Sequence, residues 1–342
     1  MPQRLEQLTH WLHEVLDGSD CSLEPASGDA SFRRYFRVFH NGQTLIAMDA
    51  PPEREDCRPF VHVAGILLAL GLHVPQILAQ DLQRGFLLLS DLGTRLYLPE
   101  LNESSVERLY GDALGALATL QACGPRADEL PPYDHALLQR EMQLFPDWYL
   151  EKHLGMTLSV AQRNTLEASF AHLTQVALEQ PRVCVHRDYH SRNLMITPHN
   201  NPGILDFQDA VIGPVTYDLV SLLRDAYIAW PRARVEDWVN GYHELALHSG
   251  ILQHENEAGF LRWFDLMGVQ RHLKVVGIFA RLNHRDGKPG YLDDIPRVLG
   301  YIMDVVPRYA ELDALHGLLD KISSEWRAAS GELRTKPATT LP

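Results

Sequence analysis

At 342 residues, with 45% hydrophobic and 22% charged side chains, the chain is long enough to build two lobes and has the composition of an ordinary soluble globular protein. Its 31 basic residues against 44 acidic give a formal charge of -13, which argues against a nucleic-acid partner or an anionic membrane surface. Cys21, Cys57, Cys123 and Cys184 lie too far apart for a zinc knuckle or a disulfide framework. The N-terminus has no signal-peptide core and no window approaches the roughly 18 apolar residues of a membrane span, so a cytoplasmic location is expected.

Leu5, Leu8, Trp11, Leu12, Val15 and Leu16 recur at helical spacing and predict a leading helix over residues 4–17, closed by Asp17-Gly18. Residues 22–53 read as strand, polar loop, strand, a hairpin at Asn41-Gly42, and strand. Pro59 to Leu70 is a helix opened by proline and closed by Gly71, and strands follow at Gln76 to Asp81 and Phe86 to Asp91. Three strands, a helix and two strands are the layout of a kinase-type nucleotide lobe, here residues 1–93. Its phosphate loop would be Ser27-Gly28-Asp29-Ala30-Ser31, which holds a single glycine and on its own reads more readily as a plain β-turn. The strand ending in Ser90-Asp91 would be the hinge that meets the adenine.

An absence is more telling. The chain has five lysines, and the first is Lys152. A kinase nucleotide lobe normally supplies a strand lysine that pairs with the phosphates and with a helix carboxylate. That work falls to arginine, with Arg33 and Arg34 the candidates, or to the metal alone; the alternative for both is a general preference for arginine.

Residues 94–330 read as a mostly helical lobe, with helices at Glu103 to Gln121, within Pro131 to Gln180, and at Tyr217 to Ala229, Val235 to Ser249, Glu257 to Phe279, Leu292 to Tyr309 and Leu312 to Ala328. Ser159 and Gln162 form a capping box. The tail, residues 331–342, is expected to be disordered. The fold class is therefore α+β: a small antiparallel-sheet lobe followed by a larger helical one, the bilobal architecture of protein kinases.

The chemistry concentrates between Val183 and Asp218. Strand-like runs at Val183 to Val185, Leu194 to Thr197 and Ile204 to Phe207 place polar residues at strand ends, with Asn-Asn-Pro-Gly turning residues 200–203. Transfer of a phosphoryl group to an alcohol needs a carboxylate to orient or deprotonate the hydroxyl and oxygen ligands for Mg2+. His186-Arg187-Asp188 with Asn193 five residues on, then a hairpin and Asp206-Phe207, supplies that set. A second His-Arg-Asp, at residues 284–286, is followed by Tyr291 at the asparagine position and reads as a loop.

These motifs resemble the kinase superfamily and, within it, the aminoglycoside-phosphotransferase-like small-molecule kinases, over nearly the whole chain. The resemblance implies that Asp188 is the catalytic base, that Asn193 and Asp206 hold Mg2+ with ATP as cosubstrate, and that Asp218 braces the catalytic loop. The run from Asp206 to a helix near residue 217 leaves no room for a peptide-binding activation segment, so a small-molecule acceptor is expected. Among such kinases the segments SFRRYFRV, HRDYHSRNLM, DFQDAVIGPVTYDLVSLLRD and QRHLKVVGIFARLNHRDGKPGYL are similar to those of bacterial anomeric sugar kinases. That similarity implies transfer from ATP to the C1 hydroxyl of N-acetylmuramate or N-acetylglucosamine in peptidoglycan recycling, with no obligate protein partner.

His190, Arg192, Gln208, Asp209, Tyr227 and Trp230 are the candidate sugar contacts, Tyr227 and Trp230 reading more readily as core packing and His186 as a structural anchor. Arg271 and Lys274 are either a solvated helix face or a basic patch for a lactyl carboxylate or phosphate. Alternatives are a kinase for an aminoglycoside, choline or homoserine, and a pseudokinase without turnover. The lysine-free lobe motivates the last, and the complete Asp188, Asn193 and Asp206 set stands against it.

Overall fold

The computed structural model describes residues 2–17, 21–28, 32–125, 129–254 and 256–330. By packing, the chain forms two units: Met1–Gly124 with Ser191–Ala210, and Pro125–His190 with Val211–Pro342.

The first unit opens with α1 (Pro2–Val15), whose period of three to four apolar residues buries Leu8, Trp11 and Leu12 against Val38, Ala47, Phe86 and Leu88. Each such side chain contributes up to about 1.5–3 kcal/mol of burial. The wall they meet is a sheet of β1 (Ser22–Gly28), β2 (Arg34–His40), β3 (Gln43–Asp49), β4 (Ile77–Asp81) and β5 (Phe86–Ser90), antiparallel in the order β1-β2-β3-β5-β4. Asn41 and Gly42 join β2 to β3 with φ of 48° and 75°, the paired left-handed turn that Asn-Gly favours. Between β3 and β4 lies α2 (Arg58–Ala69), with proline in its first turn and Gly71 at φ 77° after its end. Short α3 (Tyr97–Glu100) and α4 (Val106–Cys123) complete the N-terminal part of this unit.

In the second unit α5 (His135–Met142) is capped by Asp134, and a nine-residue π-helical stretch, Phe145–His153, follows it. The capping box opens α6 (Val160–Glu179): Gln162 N donates to Ser159 Oγ at 3.3 Å and Ser159 N to Gln162 Oε1 at 2.8 Å. After β6 (Arg182–Val185) the chain rejoins the first unit as a hairpin of β7 (Leu194–Met195) and β8 (Gly203–Ile204). These strands are two residues each, shorter than the apolar runs suggest: Ile196 N turns to Arg95 O and Thr197 N to Asn201 Oδ1, and Asp206 after β8 has φ 63°.

Back in the second unit, β9 (Val211–Pro214) pairs antiparallel with β6, where the sequence suggests only a connection. Then come α7 (Tyr217–Leu223), α8 (Arg232–His248), α9 (Glu257–Asp286), α10 (Ile295–Val305) and α11 (Asp313–Ser330). Two helix ends correct the periodicity. α7 stops before Arg224, where φ is -120° and the freed Arg224 carbonyl is held by His272 Nε2 at 3.0 Å. α9 runs through the second His-Arg-Asp, which is helix and not loop, because nothing breaks it before Gly287 at φ 65°.

α9 is the axis of the larger core, with Leu266, Val269, Leu273, Val276 and Phe279 buried among residues of α6, α10 and α11. It closes on Leu144 at Gly277, where a Cβ would stand 2.4 Å from the Leu144 carbonyl carbon. Gly277→Ala is expected to destabilise the protein by about 1–3 kcal/mol through overpacking, read as a fall in the denaturant midpoint.

Candidate active site

In the first unit the β7–β8 hairpin carries Asn193 and Asp206. Leu205 N donates to Asn193 O at 2.9 Å, and Asn193 Nδ2 lies 3.5 Å from Asp206 Oδ2. Phe207 anchors the hairpin on α2, its ring centroid 4.8 Å from that of Phe60. Asn201 in the turn ties down to Tyr97 Oη and Asp112 Oδ2, both at 2.7 Å. Asp206 sits at φ 63°, a left-handed conformation that aspartate tolerates better than most residues. Gln208 fixes its rotamer by donating to Oδ1 at 2.8 Å, with a weaker 3.4 Å contact to Asp209.

Arg33, in the same unit, reaches Glu55 Oε2 at 3.4 Å and Asp206 Oδ1 at 3.8 Å. Burial works to lower its pKa, but Tyr35, Glu55 and Asp206 outweigh that and raise it, so the guanidinium stays charged. Arg33 and Glu55 thus form a cation–carboxylate pair beside Asp206, with Glu55 just before α2. Arg34 is engaged differently: with Arg4 it clamps the wholly buried Asp49, one arginine on each carboxylate oxygen.

Ser27 and Gly28 are strand residues opposite Tyr35 and Arg34, while Asp29, Ala30 and Ser31 lie outside the described residues. Ser90 ends β5, its Oγ accepting from Gln76 N at 2.9 Å. Asp91 is gripped by Arg37 at 2.7 and 3.1 Å and accepts from Gly93 N at 2.9 Å. Its side chain therefore shapes the turn after β5.

In the second unit Asp218, at the start of α7, accepts from His186 N at 2.6 Å and Arg187 N at 2.9 Å. Those two bonds hold Arg187 at φ 77°, a strained position for a residue with a long side chain. Burial pushes the Asp218 carboxyl up to about 7 against these donors. His186 is buried, and its Nδ1 accepts from Asp188 N at 3.3 Å.

Asp188 lies in a field of cations. Burial acts to raise its pKa, yet Lys274, His190, Arg271 and Arg187 outweigh it and hold the carboxyl below its ordinary range. Two of these cations are tied elsewhere. Lys274 Nζ donates to Tyr217 Oη at 2.9 Å and meets Glu141 Oε1 at 3.0 Å, and Arg187 Nη2 binds the same Glu141 oxygen. Lys274→Met is expected to raise the Asp188 pKa, so the acid limb of kcat/KM moves to higher pH; a pH–rate profile checks it.

Of the candidate sugar contacts, His190 and Tyr227 face each other edge-on with centroids 5.5 Å apart. Trp230 packs on Trp238 at 5.9 Å and under the Arg234 guanidinium, and Arg192 is exposed. Neither Glu55 nor Glu141 carries a signal in the sequence. Glu55 stands in an acidic run without distinctive spacing, and Glu141 differs in no local way from any carboxylate on an amphipathic helix.

An antiparallel five-stranded sheet with a helix inserted between its third and fourth strands, a helical unit, and the ordered Asp188, Asn193 and Asp206 motif define a protein-kinase-like phosphotransferase. The model of the phosphotransferase enzyme (APH) family matches residues 22–254, and the chain belongs to that family. It is 51% identical over 336 residues to an N-acetylmuramate/N-acetylglucosamine kinase of Pseudomonas putida, covering 95% of this chain and 98% of that one. A kinase of the same name from Neisseria meningitidis serogroup B is 44% identical over 334 residues, covering 96% and 99%. Among solved structures, the GDP complex of aminoglycoside 2'-phosphotransferase-IIIa superposes with a TM-score of 0.60 at 15% identity, covering 87% of this chain and 98% of that one, a likeness of fold. The chain is an enzyme of the kinase class. Among the described residues no helix is long and apolar enough to cross a membrane.

Proposed function

We propose that the protein is a cytoplasmic ATP-dependent kinase that phosphorylates the anomeric hydroxyl of N-acetylmuramate and N-acetylglucosamine in peptidoglycan recycling. Residues 1–93 supply nucleotide-binding groups, and residues 94–330 the catalytic and acceptor groups. The observation that carries the chemistry is the placement of the Asp188 carboxyl on a loop tied to Asp218 and among Lys274, His190, Arg271 and Arg187, which lower its pKa. The acceptor follows from relatives named for both sugars and similar over nearly their full length.

Asp188 accepts a hydrogen bond from the C1 hydroxyl and aligns it. As the sugar oxygen bonds to the γ-phosphorus, the bond to the bridging oxygen breaks, ADP leaves, and the hydroxyl proton passes to Asp188. A carboxylate of depressed pKa is a weak base. An anomeric hydroxyl is more acidic than an ordinary alcohol, and a loose transition state asks for alignment more than base strength.

Arg33, oriented by Glu55, takes the place of the strand lysine on the nucleotide phosphates. Asn193 and Asp206 offer an amide and a carboxylate 3.5 Å apart, a hard-oxygen set that fits Mg2+ once the amide turns its carbonyl inward. Bound there with ATP, the ion would neutralise charge on the phosphates. Gln208 keeps Asp206 in place, and Asp218 holds the strained backbone before Asp188.

Purified protein with ATP, Mg2+ and a panel of N-acetylmuramate, N-acetylglucosamine, kanamycin, choline and homoserine provides the test. 31P NMR should show a sugar 1-phosphate with the two N-acetyl sugars; transfer to neither rejects the reading. ATP binding without any transfer would establish a pseudokinase instead.

A further inference from the structure

Arg271 stands apart from the other cations around Asp188. It is 3% exposed, and its buried Nε and Nη1 have no hydrogen-bond partner. Lys274 and Arg187, by contrast, share Glu141, and Asp218 is occupied by two backbone amides. The guanidinium of Arg271 rests over the Tyr217 ring, 5.9 Å from its centroid, which is a small return for taking a charge out of water. A buried, forked donor left without an acceptor is suited to an anion that arrives from outside.

Resting on the function proposed above, we infer that Arg271 reads the carboxylate of the acceptor, making it the residue that distinguishes a sugar bearing a lactyl ether acid from the same sugar without one. N-acetylmuramate and N-acetylglucosamine differ by that one group. The guanidinium belongs to the same unit as Asp188 and is close enough to act on its charge, as a group meeting the acceptor must be. The nucleotide phosphates have other proposed partners, Arg33, Asn193 and Asp206, all in the first unit. Lys274, one turn further along α9, already has an anion and is a poorer candidate for the same work.

The test is the ratio of kcat/KM for N-acetylmuramate to that for N-acetylglucosamine in wild type, Arg271→Met and Arg271→Lys. Loss of a charged hydrogen bond should lower this ratio about 10- to 100-fold in Arg271→Met, with Arg271→Lys in between. Both rates also feel the altered field on Asp188, and the ratio cancels that common effect. Arg271→Lys keeps a positive charge beside Asp188 and Asp218 and serves if the methionine variant does not fold.

A second arm uses no nucleotide: the rise in Tm given by N-acetylmuramate should exceed that given by N-acetylglucosamine in wild type, and the excess should vanish in Arg271→Met. An unchanged ratio, or a parallel fall with both sugars, overturns the inference while leaving the sugar-kinase reading intact. If wild type transfers to neither sugar, that reading fails separately. The thermal arm then decides alone, and no N-acetylmuramate shift dependent on Arg271 overturns the inference too.

Discussion

Asp188→Asn is expected to lower kcat about 10²- to 10⁴-fold while the KM for ATP changes by less than about threefold. The substitution keeps the side chain's shape and removes both the negative charge and the proton acceptor. Its environment sharpens the effect. Lys274, His190, Arg271 and Arg187 all act on this carboxylate, and only Lys274 and Arg187 keep a second anion in Glu141, so a neutral amide weakens the compensation of the positive field as well as removing the base. Rapid-quench measurement of the phosphorylated sugar separates this loss from slow product release. Undiminished turnover in Asp188→Asn would mean that alignment of the hydroxyl comes from another group, and the proposed role would be wrong.

Arg33→Met is expected to lower kcat/KM for ATP about 10²- to 10³-fold, the scale of removing one fixed charge from a phosphoryl-transfer site, with little change in the KM of the sugar. The neighbouring arginine makes the control. Arg34 and Arg4 share the buried Asp49 at the end of β3, so Arg34→Met should cost about 1–3 kcal/mol of stability and leave ATP kinetics near normal once folded. Initial rates at varied ATP, paired with chemical denaturation of both variants, read out the contrast. Normal ATP kinetics in Arg33→Met would return phosphate binding to the metal and backbone alone.

That contrast marks where the sequence ceases to be legible. Arg33 and Arg34 are adjacent and identical in type, so nothing local tells them apart. They diverge because Arg34 opens β2 directly opposite Asp49 of β3, while Arg33 lies just before the strand and turns toward Glu55 and Asp206. The small sheet was readable for the opposite reason: Asn41-Gly42, the prolines of α2 and Gly71 encode their backbone conformations in single residues. The spacing of Asp188, Asn193 and Asp206 was equally local. The β6–β9 pairing joins residues far apart in the chain, and β9 is the four-residue run Val-Ile-Gly-Pro, which carries no alternation. The burial of Arg271 and Lys274 was hidden too. α9 is covered over much of its length, so charged side chains that periodicity assigns to either a wet face or a basic patch end up inside.

The hairpin carrying Asn193 and Asp206 has a consequence for the order in which the molecule matures. It belongs by packing to the first unit, yet it is synthesised after residues 125–190 of the second. When residue 124 leaves the ribosome, Phe60 still lacks the ring of Phe207, and the carbonyls of His73 and Arg95 lack the amides of Ile204 and Ile196 that they receive in the finished protein. The sheet unit is therefore begun first and finished late, and a fragment cut at residue 124 is a lobe with an open seam.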